Sequence, residues 1–215
     1  KIEGLTLPAN TNYYLVIDGY GGDHGDYQLE ITLFWGEYVE CPADGVPEGE
    51  PELADEYEDA FNGGCNSPQF GDPFQAITGD ENGEVTFCGL AGWYTYQGGD
   101  NRDTDWFELV TGAGGTIDIT ADATYATYIF ELFPQDCASV TVAQQIEVGP
   151  IAEDSMTITG YDPGQVVWLW AGATEFTPPG GDTPQEYEYV IWISGLQAAV
   201  AAEATSWGAV KSLYR

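Results

Sequence analysis

A chain of 215 residues can bury one good hydrophobic core and part of a second. A 43% hydrophobic share excludes wholesale disorder, and 14% aromatics alongside many Thr, Val and Ile favours strands over helices. Thirty-six acidic residues face four basic ones, Lys1, Arg102, Lys211 and Arg215, for a formal charge of -32. That charge excludes nucleic-acid phosphate and anionic lipid as partners; it suits divalent cations, basic proteins or amine-bearing polymers, and also serves plain solubility or hydration in high salt.

Residues 1–36 read as a β-hairpin. A strand-like run at 13–17 leads into a Gly-rich loop at 19–25, after which Tyr27, Leu29, Ile31 and Leu33 alternate with polar residues. Residues 37–84 are different: Pro42, Pro47, Pro51 and an acidic run at 48–59 argue against a strand. One or two helical turns are expected over 53–61, ending in the turn-rich 63–68, in a linker or cap pinned by a disulfide.

From 85 to 196 strands are expected at 85–88, 93–96, 106–110, 116–120, 127–133, 139–148, 155–159, 166–171 and 187–193, with Gly, Pro, Asn and Asp between them. Short strands at such spacing predict an all-β, antiparallel, jelly-roll-like sandwich. Ile117 and Ile119 oppose Asp118 and Thr120, and Tyr128, Phe130 and Leu132 share one face. In the tail, 197–215, an Ala-rich stretch and the spacing of Trp207, Val210, Lys211 and Tyr214 predict a short helix. The apolar stretch 189–202 is too short to span a bilayer, which takes about 20 residues. A first residue of Lys, with no signal peptide, fits a mature, processed or partial chain.

The pattern at 13–18 and 26–33 is repeated at 166–171 and 186–193, so both pairs are expected to be hairpins. A lone hairpin cannot bury its apolar face. The first is therefore expected to pack on its own domain, on a truncated preceding domain or on another subunit.

Cys41, Cys65, Cys88 and Cys137 form no CxxC pair, and His24 alone cannot complete a zinc site, so two disulfides and an oxidising compartment are expected. Of three pairings, Cys41–Cys65 with Cys88–Cys137 is favoured because each closes one contiguous segment. His24, in its Gly-rich loop, is not a catalytic base, and no carboxylate pair stands out as a catalytic one. Two loops are candidate calcium sites: Asp100, Asp103 and Asp105 in one, Asp18, Asp23 and Asp26 in the other, with Asx-turns as the plainer use of the same residues. Trp168, Trp170 and Trp192, or Trp93, Tyr94 and Tyr96, could form a stacking platform, although core packing is the commoner fate of such side chains.

The stretch 7–20, with its Tyr13-Tyr14-Leu15-Val16-Ile17-Asp18-Gly19, followed by Gly25-Asp26-Tyr27-Gln28-Leu29, resembles the closing strands of the bacterial pre-peptidase C-terminal domain. Asp103-Thr104-Asp105-Trp106-Phe107-Glu108-Leu109 resembles its early aspartate-aromatic strand. The resemblance makes 1–35 the end of one copy and roughly 85–196 a second, leaving 41–75 and the tail outside it. It implies a small secreted sandwich, commonly non-catalytic and usually appended to a hydrolase; some such modules bind calcium, collagen or polysaccharide. Two functions are expected: a structural subunit of an extracellular or cell-surface assembly, self-associating into a filament by hairpin addition, or an accessory module that anchors a hydrolase to an extracellular polymer.

Overall fold

A computed structural model describes Tyr14 and residues 39–150, 152–179 and 181–199. The chain divides into two units, 1–35 and 36–215, and the second is an all-β sandwich. The expected first hairpin, most of the tail and His24 lie outside the described residues.

The larger sheet runs β1 (Val46–Pro47), β3 (Val85–Tyr96), β11 (Gln185–Ser194), β6 (Ile117–Ala123), β9 (Asp154–Ile158), with β4 (Gly99–Arg102) also paired to β3. The smaller runs β2 (Gln75–Ala76), β5 (Thr104–Val110), β10 (Val166–Ala173), β7 (Thr127–Phe133), β8 (Thr141–Val148). Pairing is antiparallel except for β1 on β3 and β2 on β5, which are parallel. Alternation supplies the core: Ile117, Ile119 and Ala121 on β6, Phe107 and Leu109 on β5, Val167, Leu169 and Ala171 on β10, and Tyr187, Tyr189, Ile191 and Ile193 on β11 all face inward and are buried.

The segment 39–76 is a cap. It gives one short strand to each sheet and so closes the β3/β5 side of the sandwich, where an open edge would expose unpaired backbone groups. The disulfides fasten it at both ends, Cys41 to Cys88 on β3 and Cys65 to Cys137 after β7. This corrects the favoured pairing: each bond ties the cap to a different sheet instead of closing a local loop, and sequence distance carries no information on that. Gly64 (φ 47°) crosses directly over Trp106, where a Cβ would lie 2.2 Å from the indole.

Four more expectations are corrected. Residues 85–88 and 93–96 belong to one twelve-residue strand; the cap covers its outer face, so the polar alternation that marks a half-exposed strand is lost. Residues 99–102 are a strand, not a loop. No helix forms at 53–61, because its backbone is engaged elsewhere: Leu53 N–H donates to the Glu186 carboxylate, Glu56 N–H to the Thr95 carbonyl, and Glu56 takes a left-handed φ of 62°. β10 and β11, finally, are not a hairpin, since they lie in different sheets. The internal likeness therefore gives no ground for reading 13–33 as a hairpin either.

Candidate metal centre

The cap and the sandwich meet at a buried cluster of carboxylates. Asp105 takes the first inward position of β5, in line with Phe107 and Leu109, and is fully buried. Across from it Gly89 on β3 pairs with Tyr189 on β11. A Cβ on Gly89 would lie 2.0 Å from the Tyr189 ring, so only glycine leaves room for that ring. The Tyr189 hydroxyl then donates to Asp105 Oδ2 at 2.7 Å. Asp103, two residues before Asp105, is buried as well.

Glu48, Glu50, Asp59 and Asn62 come from the cap. Glu48 is buried; its Oε2 accepts from Leu90 N–H at 2.9 Å, and its Oε1 accepts from Asn62 Nδ2. Glu50 Oε1 accepts from the Tyr57 hydroxyl. Asp59 Oδ1 accepts from the backbone N–H groups of Phe61 and Asn62 at 2.9 and 3.0 Å. Five oxygens are left buried without a partner: Glu50 Oε2, Asp59 Oδ2, Asn62 Oδ1, Asp105 Oδ1 and, on the neighbouring Gln75, Oε1. One carboxylate oxygen from each of Glu48, Glu50 and Asp105 falls within 4.8 Å of the other two, and the same holds for Glu50, Asp59 and Asp103. Glu50 belongs to both groups.

Burial disfavours the ionised form and so pushes these carboxyls up. Glu50 rises to about 7 and Asp59 also rises, both mainly through burial. Glu48, Asp103 and Asp105 go well above the usual carboxylate range, through burial first and then through the charges of neighbouring carboxylates such as Glu50, while the Leu90 N–H holds Glu48 partly back. Arg102, the one basic side chain among the described residues, faces away: it donates to the carbonyls of Ala173 and Thr174 and lies over the rings of Trp170 and Phe176. Hard oxygen ligands at this density, with no nitrogen or sulfur among them, are suited to Ca²⁺ in preference to zinc or copper.

A cleft of about 170 Å³ opens beside the second group. Tyr57, Tyr94, Tyr96, Asn66, Gln69 and Thr104 line it, with Asp59 and Asp103 also on its wall.

Of the residues expected to bind calcium, Asp103 and Asp105 are brought together here. Asp100 is not: it is exposed on β4 and accepts from the Thr177 hydroxyl at 3.2 Å. Asp18, Asp23 and Asp26 lie outside the described residues. Glu48, Glu50, Asp59 and Asn62 were not anticipated: Gly49 takes a left-handed φ of 80° between the two glutamates, so no strand alternation marks them.

The tryptophans do not share a platform. Trp168 and Trp170 lie on the outer face of β10, packed with Trp106, Leu132 and Phe74, whereas Trp192 alternates outward on β11, on the far side of the sandwich. Trp93 is a core residue whose Nε1 donates to the Glu175 carbonyl at 2.8 Å, and Tyr94 packs edge-on against Tyr57 of the cap.

No family model matches the chain, and no curated protein is similar to it. Two disulfides are compatible with an extracellular, oxidising location. Among the described residues no helix is long and apolar enough to cross a membrane.

Proposed function

We propose that the chain is a non-catalytic, extracellular β-sandwich module of a secreted or cell-surface protein, and that calcium cements its cap to its body. One observation carries this reading: five carboxylates converge where no basic side chain of the described residues faces them, with buried oxygens left unpartnered. An unpartnered buried acceptor costs about 1–3 kcal/mol, and more when charged. A hard cation held by Glu48, Glu50 and Asp105, or by Glu50, Asp59 and Asp103, removes both costs at once. It also ties the cap to β5, beside the disulfides that tie it to β3 and to the loop after β7. The resemblance of 102–109 to the pre-peptidase C-terminal domain points the same way, since that strand supplies Asp103 and Asp105. All four cysteines are consumed in disulfides, which removes the thiol nucleophiles and supports a binding or structural role.

Thermal unfolding of the full chain, stripped with EDTA and then titrated with calcium, tests the reading. Calcium at a hundred times its dissociation constant adds about 2.7 kcal/mol to the folded state and raises Tm. Identical melts with and without calcium refute it.

A second reading is assembly into filaments by strand addition. It is favoured by β8, an outermost strand of eight residues whose only charged side chain is Glu147 and whose Val142 is exposed; edge strands are usually blunted by charge or proline. Light scattering across a concentration series tests it, and a monomer at every concentration excludes it.

A further inference from the structure

We infer that the Asp72–Pro73 peptide bond is a self-cleavage site, and that the folded protein matures into two chains, 1–72 and 73–215, held together by its disulfides.

An Asp-Pro bond carries its own nucleophile. The Asp72 carboxyl adds to its own main-chain carbonyl carbon and closes a cyclic anhydride. Its proton passes to the Pro73 nitrogen, which leaves as a secondary amine when the C–N bond breaks. Water then opens the anhydride, so one water is consumed and residue 72 ends in a free carboxylate. Proline is the better leaving group, because its ring nitrogen is more basic than other amide nitrogens and carries no N–H.

The fold puts this bond under strain. Asp72 takes a left-handed φ of 53°, directly after Gly71 at 84°. That conformation is costly for a residue other than glycine, and a following proline, which favours extended backbone before it, opposes it further. Neither side can relax. Before the bond, Gly71 N–H donates to the Pro68 carbonyl at 3.1 Å, and Cys65 is fastened to Cys137. After it, the Pro73 carbonyl accepts from Gly64 N–H at 2.8 Å, Phe74 stacks on Trp168 with ring centroids 4.4 Å apart, and Gln75 and Ala76 pair with β5. Gly71 is exposed and Asp72 and Pro73 are half-buried, so water reaches the bond. Cleavage releases the strain and leaves both anchors in place.

The disulfide topology fits a two-chain product. Cys41–Cys88 and Cys65–Cys137 both straddle the bond, so each joins the first chain to the second. Pairing 41 with 65 and 88 with 137 would have left the two pieces without a covalent link. The sequence has a second Asp-Pro bond, Asp162–Pro163, which serves as an internal reference. Asp162 is not in the left-handed region, and its carbonyl accepts from the Thr111 hydroxyl at 2.7 Å and from Gln165 N–H at 3.1 Å, in a relaxed turn.

Mass spectrometry of the full chain held at pH 5 reads the cleavage directly. Without reductant the product is expected to be one species, heavier by a single water. With reductant it is expected to separate into 1–72 and 73–215, the second beginning at Pro73. Cleavage is expected to be about tenfold or more faster at 72–73 than at 162–163. That preference is expected to vanish in guanidinium chloride, where the strain is gone. Asp72→Asn keeps a side chain that tolerates the left-handed region but lacks the carboxyl, so it is expected to remain a single chain. A folded wild-type chain that stays uncut overturns the inference. Equal rates at the two bonds in the folded protein also overturn it, because the lability then belongs to the dipeptide and not to the fold. Cutting of Asp72→Asn at the same place overturns it as well, since the nucleophile is then not Asp72.

Discussion

The Tyr189 hydroxyl reaches across the sandwich to Asp105 and satisfies one carboxylate oxygen, leaving the other, Oδ1, buried and unpartnered at the junction of cap and sheet. A fully buried carboxylate with half its acceptors unmet is costly by itself. It lies within 4.8 Å of carboxylate oxygens of Glu48 and Glu50, and the proposed cation would relieve that cost.

Asp105→Asn separates the charge from the shape. The variant removes a ligand and a buried negative charge but keeps the Tyr189 acceptor. It is expected to lose the calcium-induced rise in Tm, yet to melt higher than wild type in EDTA, because the amide is neutral without taking up the proton that burial forces on Asp105. Paired melts of the two proteins, each with calcium and with EDTA, measure both effects.

The pH dependence has a definite sign. Without calcium, carboxyls such as Glu50, raised to about 7 by burial, bind more protons in the folded chain than in the unfolded one. Their favourable contribution is present at low pH and lost as pH rises through about 7. The EDTA-treated protein is therefore expected to gain stability as pH falls from 8 towards 5. Calcium requires the ionised forms, so its stabilising effect is expected to shrink over the same interval. Denaturant unfolding at pH 5, 6, 7 and 8, with and without calcium, checks the opposed slopes.

The disulfides span 47 and 72 residues, and chain entropy assigns about 4 kcal/mol to each. Replacing Cys41 with Cys88, or Cys65 with Cys137, by alanine pairs is expected to lower stability by roughly that amount. Replacing Cys41 with Cys65 would break both bonds and cost more. Non-reducing peptide maps should show 41 linked to 88 and 65 linked to 137.

Gly89→Ala tests the seating of the tyrosine. The added methyl meets the Tyr189 ring, and overpacking of this kind costs about 1–3 kcal/mol. Calcium affinity is expected to fall with it, because Asp105 loses its fixed orientation; a control at exposed Gly114, with open space around its Cα, should change neither.

The sandwich was legible because its strands alternate: Ile117 and Ile119, or Phe107 and Leu109, declare an inner face without any tertiary information. Residues 37–84 were legible as a linker or cap pinned by a disulfide; the path was not, because the backbone bonds run to β3 and β11, and proline and acid signal only that the segment is neither helix nor regular strand. Asp103 and Asp105 stood out as a dense aspartate loop. Their partners Glu48, Glu50 and Asp59 were hidden in an acidic run where any carboxylate resembles background charge. What distinguishes them is burial, which the cap's path creates and local composition does not encode. The disulfide pairing failed for the same reason.

A crystal structure of the full chain grown at neutral pH with calcium tests the central claim most directly. The account predicts a density peak at about 2.3–2.6 Å from oxygens of Glu50 and Asp105, absent from crystals grown in EDTA. Crystals in which the unpartnered oxygens of Glu50, Asp59 and Asp105 bind only water or one another, whatever the calcium concentration, would contradict it.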